Sequence, residues 1–164
     1  MESVRFEKFI LLICGIQKHI SRLKTTFAPE LGIKSVHVLW FYELMMHPDG
    51  LTATELATVS MVDRALVSRE IESLKADGYV YAKSGDGKSY NVPLRLTEKG
   101  EEVAERILEL VTELQDKLDS GIDQEELVAF YSTLEKLSNN FRLIPKGKRS
   151  AIRKGGDHDE KVRE

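Results

Sequence analysis

Residues 52–100 read TATELATVSMVDRALVSREIESLKADGYVYAKSGDGKSYNVPLRLTEKG. The segment opens on a capping box. Thr52 can accept from the N–H of Glu55, and the Glu55 carboxylate can reach back to the N–H of Thr52. Leu56 and Ala57 then turn inward, and Ala57 is small enough to let a crossing helix come close. Thr58 to Val62 lacks helical periodicity and is expected to form a turn. Asp63 caps a second helix, where its charge suits the positive helix end. That helix is expected to run to Asp77 and to stop at Gly78, which can take the left-handed position past a helix end.

Periodicity assigns the faces of the second helix. Val67, Ile71 and Leu74 recur at i, i+4 and i+7 and form its buried stripe. Ala65, Ser68, Arg69, Glu72 and Ala76 fall on the opposite side, with Arg64 and Leu66 flanking the N-terminal end. Small residues, a hydroxyl and an arginine near a helix start suit entry into a major groove. Arg can pair with guanine, Ser can bond a base edge or phosphate, and Leu can meet a thymine methyl. Glu72, three residues on, and Asp63 are partners that could hold the Arg69 guanidinium in place.

Next come two strand-like runs, Tyr79 to Lys83 and Tyr90 to Leu96, joined by Ser84 to Ser89. Gly85 and Gly87 allow the positive φ of a tight loop. Val92, Leu94 and Leu96 alternate inward, and Pro93, which cannot donate to a ladder, belongs on an edge. Lys83, Lys88 and Arg95 give the hairpin positive charge for a phosphate backbone. Helix, turn, helix and hairpin in this order make a winged helix-turn-helix. The fold expected is mainly α with a small β-hairpin wing.

The ordered set Glu55-Leu56-Ala57, Asp63-Arg64, Val67-Ser68-Arg69, Leu74, Gly78 and Leu96-Thr97-Glu98-Lys99-Gly100 resembles the MarR family of bacterial transcription regulators. The general layout extends over Phe6 to Phe141. The family carries Asp-x-Arg at the wing tip. Here Asp86-Gly87-Lys88 keeps the charge but lacks the planar fork. The resemblance implies a homodimer in which terminal helices interleave, with the winged domains splayed below. It also implies small aromatic or phenolic ligands near the central helix, which here points to His37, Trp40 and Tyr42. The DNA-facing set expected is Thr52, Thr54, Arg64, Ala65, Leu66, Ser68, Arg69, Lys83, Lys88 and Arg95.

The outer segments fit that layout. Residues 4–26 read as a helix whose stripe, Phe6, Ile10, Ile13, Gln17, Ile20 and Leu23/Lys24, is widened by Phe9, Leu12 and Ile16. Ser35 to His47 is apolar nearly all round and should be the central buried helix. His47-Pro48-Asp49-Gly50 is a turn. Thr97 caps a long helix to about Ser120, with Val103, Ile107, Leu110, Leu114 and Leu118 in 4-3-4-4 spacing. Gly121 ends it, and Asp123 caps a last helix striped by Leu127, Phe130/Tyr131, Leu134, Leu137 and Phe141. The expected division is a helical dimerisation region at 1–34 and 101–144, a winged domain at 35–100, and a disordered basic or mixed tail at 145–164.

Composition restricts the function classes. The chain has 164 residues, 41% hydrophobic and 31% charged, which suits a soluble globular protein. The run from Phe9 to Ile16 is shorter than the roughly 20 residues a membrane span needs. Glu2 and Glu7 precede it and no small-residue cleavage site follows, which argues against a signal peptide. A cytoplasmic home with no membrane partner is expected. The net charge of −3 conceals a gradient. Residues 52–97 balance six cations against six acids, whereas 98–144 carry five against twelve. Acid is concentrated away from the proposed DNA face, so indiscriminate coating of DNA is not expected.

Three other motifs lead nowhere. Ala82 to Ser89, AKSGDGKS, nearly spells a phosphate-binding loop, but Ala82 replaces the first Gly and an extended Tyr90-Asn91-Val92-Pro93 follows instead of a helix. His19, His37, His47 and His158 show no ligand spacing, so no metal and no cofactor are expected. Cys14 sits among Leu11, Leu12, Ile13 and Ile16, which favours a small core residue over a redox-sensing thiol. No catalytic constellation appears, and an enzyme is not expected. A DNA-binding regulator, a repressor acting on a pseudo-palindromic site, is expected. A winged-helix protein–protein adaptor and a redox regulator working through Cys14 are the alternatives.

Overall fold

The computed structural model describes residues 2–82 and 92–144, with α1 at Glu2–Phe27, α2 at His37–Met46, α3 at Ala53–Ser60 and α4 at Arg64–Ala76. Then follow β1 at Val80–Ala82, β2 at Leu94–Leu96, α5 at Glu98–Leu118 and α6 at Gln124–Leu143. The fold is mainly α with a two-strand antiparallel hairpin, as expected. The chain divides into two units, 1–116 and 117–164. Residues 83–91, with Lys83, Lys88 and all of the AKSGDGKS stretch after Ala82, lie outside the described residues, as do residues 145–164.

The first unit is organised around α2 and α4. Trp40 and Phe41 of α2 are fully buried, and Leu44 nearly so. Against them lie Leu56 of α3, the stripe Val67, Ile71 and Leu74 of α4, Leu94 and Leu96 of β2, and Ala104 and Ile107 of α5. Burying Val, Leu and Ile side chains is worth about 1.5–3 kcal/mol each. The stripe read from periodicity is therefore what holds α4 in place.

Two local differences from the sequence reading have clear causes. α3 does not end at Ala57 but runs to Ser60, and within it the Thr58 and Ser60 hydroxyls donate back to the Thr54 and Leu56 carbonyls instead of breaking the helix. The corner is tightened to Met61, in the left-handed conformation at φ 54°, and Val62, whose N–H returns to the Ala57 carbonyl at 3.2 Å. The hairpin also acquires a third contributor. Leu51 exchanges both backbone hydrogen bonds with Leu94, at 3.1 and 2.8 Å. The strands pair Val80 with Leu96 and Ala82 with Leu94.

Thr97 links the hairpin to α5. Its hydroxyl donates to the Gly78 carbonyl at 2.7 Å and accepts from the Gly100 N–H at 3.1 Å. Gly100 is obligatory there, since a Cβ would sit 2.2 Å from the Tyr79 carbonyl oxygen.

On α1 the apolar residues Val4, Phe6, Ile10, Leu11, Leu12, Ile16 and Ile20 stay exposed. Cys14 is exposed with them, so the single chain does not give it the apolar burial expected from its neighbours. In the second unit, α6 starts with a capping box between Asp123 and Glu126. Val128, Phe130, Tyr131 and Leu137 along it are exposed.

Candidate nucleic-acid interface

The start of α4 is set by its cap. Asp63 is extended, and its carboxylate accepts from Ala65 N–H at 2.8 Å and Leu66 N–H at 3.4 Å. That fixes the first turn and leaves Arg64, Ala65, Ser68 and Arg69 exposed, with Leu66 half-buried. Neither arginine forms an ion pair with a described residue. The partners expected for Arg69 are engaged elsewhere. Asp63 is committed to the helix N–H groups, and Glu72 pairs with Lys75 at 2.9 Å. Helical spacing allowed both choices, and the Lys75 ammonium is the cation that reaches Glu72.

Around this face the other candidates differ. Thr54, on α3, is exposed, whereas Thr52 is buried and its hydroxyl is held within the capping box. The Thr52 N–H and hydroxyl both donate to Glu55 Oε2 at 2.8 Å, which lowers the Glu55 pKa below its ordinary value. Arg95, on β2, donates through Nε to the Asp49 carbonyl at 3.1 Å, and its guanidinium lies 3.8 Å from the Asp49 carboxylate. It also borders a cleft of about 260 Å³ lined by Leu44, Pro48, Tyr81 and Glu105 among others.

Behind α4 lies a polar contact that the sequence reading missed. Glu70 Oε2 is 2.8 Å from both Lys34 Nζ and His37 Nε2. His37 is buried, and its ring packs against Trp40 with centroids 5.3 Å apart. Lys34 holds Glu70 below its ordinary pKa, so Glu70 is an acceptor and His37 Nε2 carries the proton. Burial outweighs the Glu70 hydrogen bond and lowers the His37 pKa. His37 Nδ1 and Trp40 Nε1 have no hydrogen-bond partner among the described residues. Tyr42, third of the ligand candidates, is half-buried. Lys34 and His37 stand more than thirty positions from Glu70, so no periodicity could have joined them.

Capped helix, exposed polar face and hairpin define a winged helix-turn-helix protein. The MarR family matches residues 31–89 by its sequence profile. The HTH-type transcriptional regulator BilQ of Clostridium symbiosum is 29% identical over 103 residues, 63% of this chain and 72% of that relative. A MarR-family transcriptional regulator from Silicibacter pomeroyi superposes with a TM-score of 0.70 at 26% identity, covering 80% of this chain and 88% of that one. Another, from Listeria monocytogenes and solved with a 26mer DNA, has a TM-score of 0.72 at 20% identity over 80% and 87%. The chain is thus similar, in the profile match over residues 31–89, in these relatives and in fold, to the MarR family of winged helix-turn-helix transcriptional regulators. No helix among the described residues is long and apolar enough to cross a membrane.

The lowered pKa of His37 gives the stability a sign with pH. An unfolded chain takes up a proton near the ordinary value of 6.5, while the folded chain resists until a lower pH. The stabilisation is present above 6.5 and is lost as pH falls from there to the folded value. Denaturant melts at pH 7.5 and 5.5 should show a larger loss of stability for wild type than for His37→Gln. Equal losses would contradict this reading of His37.

Proposed function

We propose that the chain binds double-stranded DNA sequence-specifically, as a homodimeric repressor on a pseudo-palindromic site in the cytoplasm. The observation that carries this reading is the disposition of charge on α4. Asp63 is committed to the helix N-terminus and Glu70 to Lys34 and His37, while Arg64 and Arg69 face outward beside Ala65 and Ser68. The positive helix end and two arginines with no ion pair among the described residues suit phosphate and base edges. The neighbouring acids are engaged by backbone or cations. The likeness to a regulator solved with DNA supports the same reading.

The dimer rests on α1 and α6, whose exposed apolar residues exceed what scattered surface positions need. In this reading 1–34 and 101–144 form the dimerisation region and 35–100 the DNA-binding domain. The DNA contacts come from Thr54, Arg64, Ala65, Leu66, Ser68 and Arg69, with Thr52 setting the start of α3. Lys83, Lys88 and Arg95 serve the backbone from the wing. A small aromatic effector is assigned to His37, Trp40 and Tyr42. The acceptor His37 Nδ1 and the donor Trp40 Nε1 match a phenolic hydroxyl, which can donate and accept. Calorimetric titration with phenols and aromatic acids should show heat of binding that Trp40→Phe reduces. No heat across the panel would remove the effector from the reading.

Sedimentation of the free protein at micromolar concentration should give a dimer. A stable folded monomer would remove both the dimer and the symmetry expected of its site.

Arg69→Ala should leave stability within about 0.5 kcal/mol, as for a surface substitution. On a duplex selected from a random pool, affinity should fall by about 1–3 kcal/mol per half-site if Arg69 reads guanine. If it meets phosphate, the salt slope should shrink by about one unit per monomer. Titrations against salt distinguish these outcomes. Unchanged affinity in folded Arg69→Ala would remove α4 as the reading element and leave the adaptor.

A further inference from the structure

Apolar packing alone leaves one freedom in α4. Val67, Ile71 and Leu74 fix which face is buried, but contacts among hydrocarbon groups are not directional. A small rotation or slide along the stripe would keep most of the burial and displace every outward side chain. Recognition of base edges tolerates little of this, because hydrogen bonds weaken steeply away from good geometry.

Glu70 supplies the missing direction. It lies between Arg69 and Ile71, at the border of the outward and inward faces. Lys34 Nζ reaches both of its carboxylate oxygens, at 3.0 and 2.8 Å, and His37 Nε2 reaches Oε2 at 2.8 Å. The Glu70 side chain is 15% exposed and that of His37 4%, so the contact between them is largely shielded. The donors are themselves held. The His37 backbone N–H donates to the Lys34 carbonyl at 2.9 Å, which closes a turn from which both donor side chains reach Glu70. The His37 ring is fixed by burial and by Trp40. The charged groups acting on His37 are Glu70 and Asp77 from α4 and its cap and Lys34 from the connection before α2. We propose that Glu70 is the positioning residue of α4: its clamp on Lys34 and His37 sets the rotation at which Ser68 and Arg69 meet DNA.

This rests on the DNA-binding reading above, and its test has a sign that electrostatics alone would not give. Removing an acid beside a polyanion should strengthen binding to any DNA. If Glu70 positions the helix, Glu70→Gln should instead weaken binding to the selected duplex, roughly tenfold, the scale of one misplaced base contact. Affinity for a scrambled duplex should stay the same or rise. Equal gains on both duplexes would make Glu70 merely a repelling charge, and equal losses with a lower Tm would make it merely scaffold. Either result overturns the proposal. Should Glu70→Gln fail to fold, Lys34→Met should lose more affinity on the selected duplex than on the scrambled one. Equal losses there overturn it too.

A second readout needs no DNA. In NMR titrations the His37 Cε1–H midpoint should move to lower pH in Glu70→Gln, because Glu70 favours the imidazolium. An unmoved midpoint would show that the clamp is absent in solution and would overturn the proposal directly. Wild type with no preference for any duplex, but with the His37 shift present, would instead sink the DNA-binding reading, and the positioning role with it, while leaving the contact established.

Discussion

The burial of Val67, Ile71 and Leu74 in the core that also holds Trp40 and Phe41 is the constraint on which the rest depends. Three residues on one side of a thirteen-residue helix decide where the other residues point. With that stripe locked into a core containing Trp40 and Phe41, Ser68 and Arg69 have no choice but solvent. Residues without an apolar role are thereby free to carry charge. The cost of exposing the stripe, about 1.5–3 kcal/mol per side chain, far exceeds what a surface ion pair could contribute. Packing therefore sets the broad orientation and polar contacts only refine it.

The acids near this face show how a chain of net charge −3 can still present cations. Asp63 lies against backbone N–H groups, and Glu70 lies between Lys34 and His37. Each is close to α4's outward face, and each has its charge directed elsewhere. The same principle bears on the wing, where Arg95 leans on the Asp49 carbonyl and carboxylate. That contact ties the second strand to the turn after α2, beside the Leu51–Leu94 bridge. Wing and helix thus share one frame through the core, with only three residues between the end of α4 and the start of β1.

Much of this was legible in the sequence because its causes are local. The Thr52 and Glu55 box, the Asp63 cap, the stop at Gly78 and the α4 stripe each arise within a few residues. The end of α3 was misread because Thr58 and Ser60 look like turn residues, yet in place they bond back into the helix. Leu51 gave no sign of joining the hairpin, since one paired residue leaves no alternation to read. The Glu70 contact was hidden for another reason. Its partners are brought to it only when the start of α2 and the connection before it fold up to α4, and neither Lys34 nor His37 carries a local mark of that meeting. Cys14 shows the same limit in reverse, because apolar neighbours along a helix do not bury a residue when their own face is open.

The central claim is that the outward face of α4 is the surface that meets DNA. Ser68→Cys, introduced into a Cys14→Ser chain, places one thiol in the middle of that face. Its rate of alkylation should be measured free and with the selected duplex bound, with binding verified in the same sample. A rate that collapses on the duplex and recovers when high salt releases it is the result expected. A thiol at position 68 that reacts equally fast in free and DNA-bound protein would contradict the account.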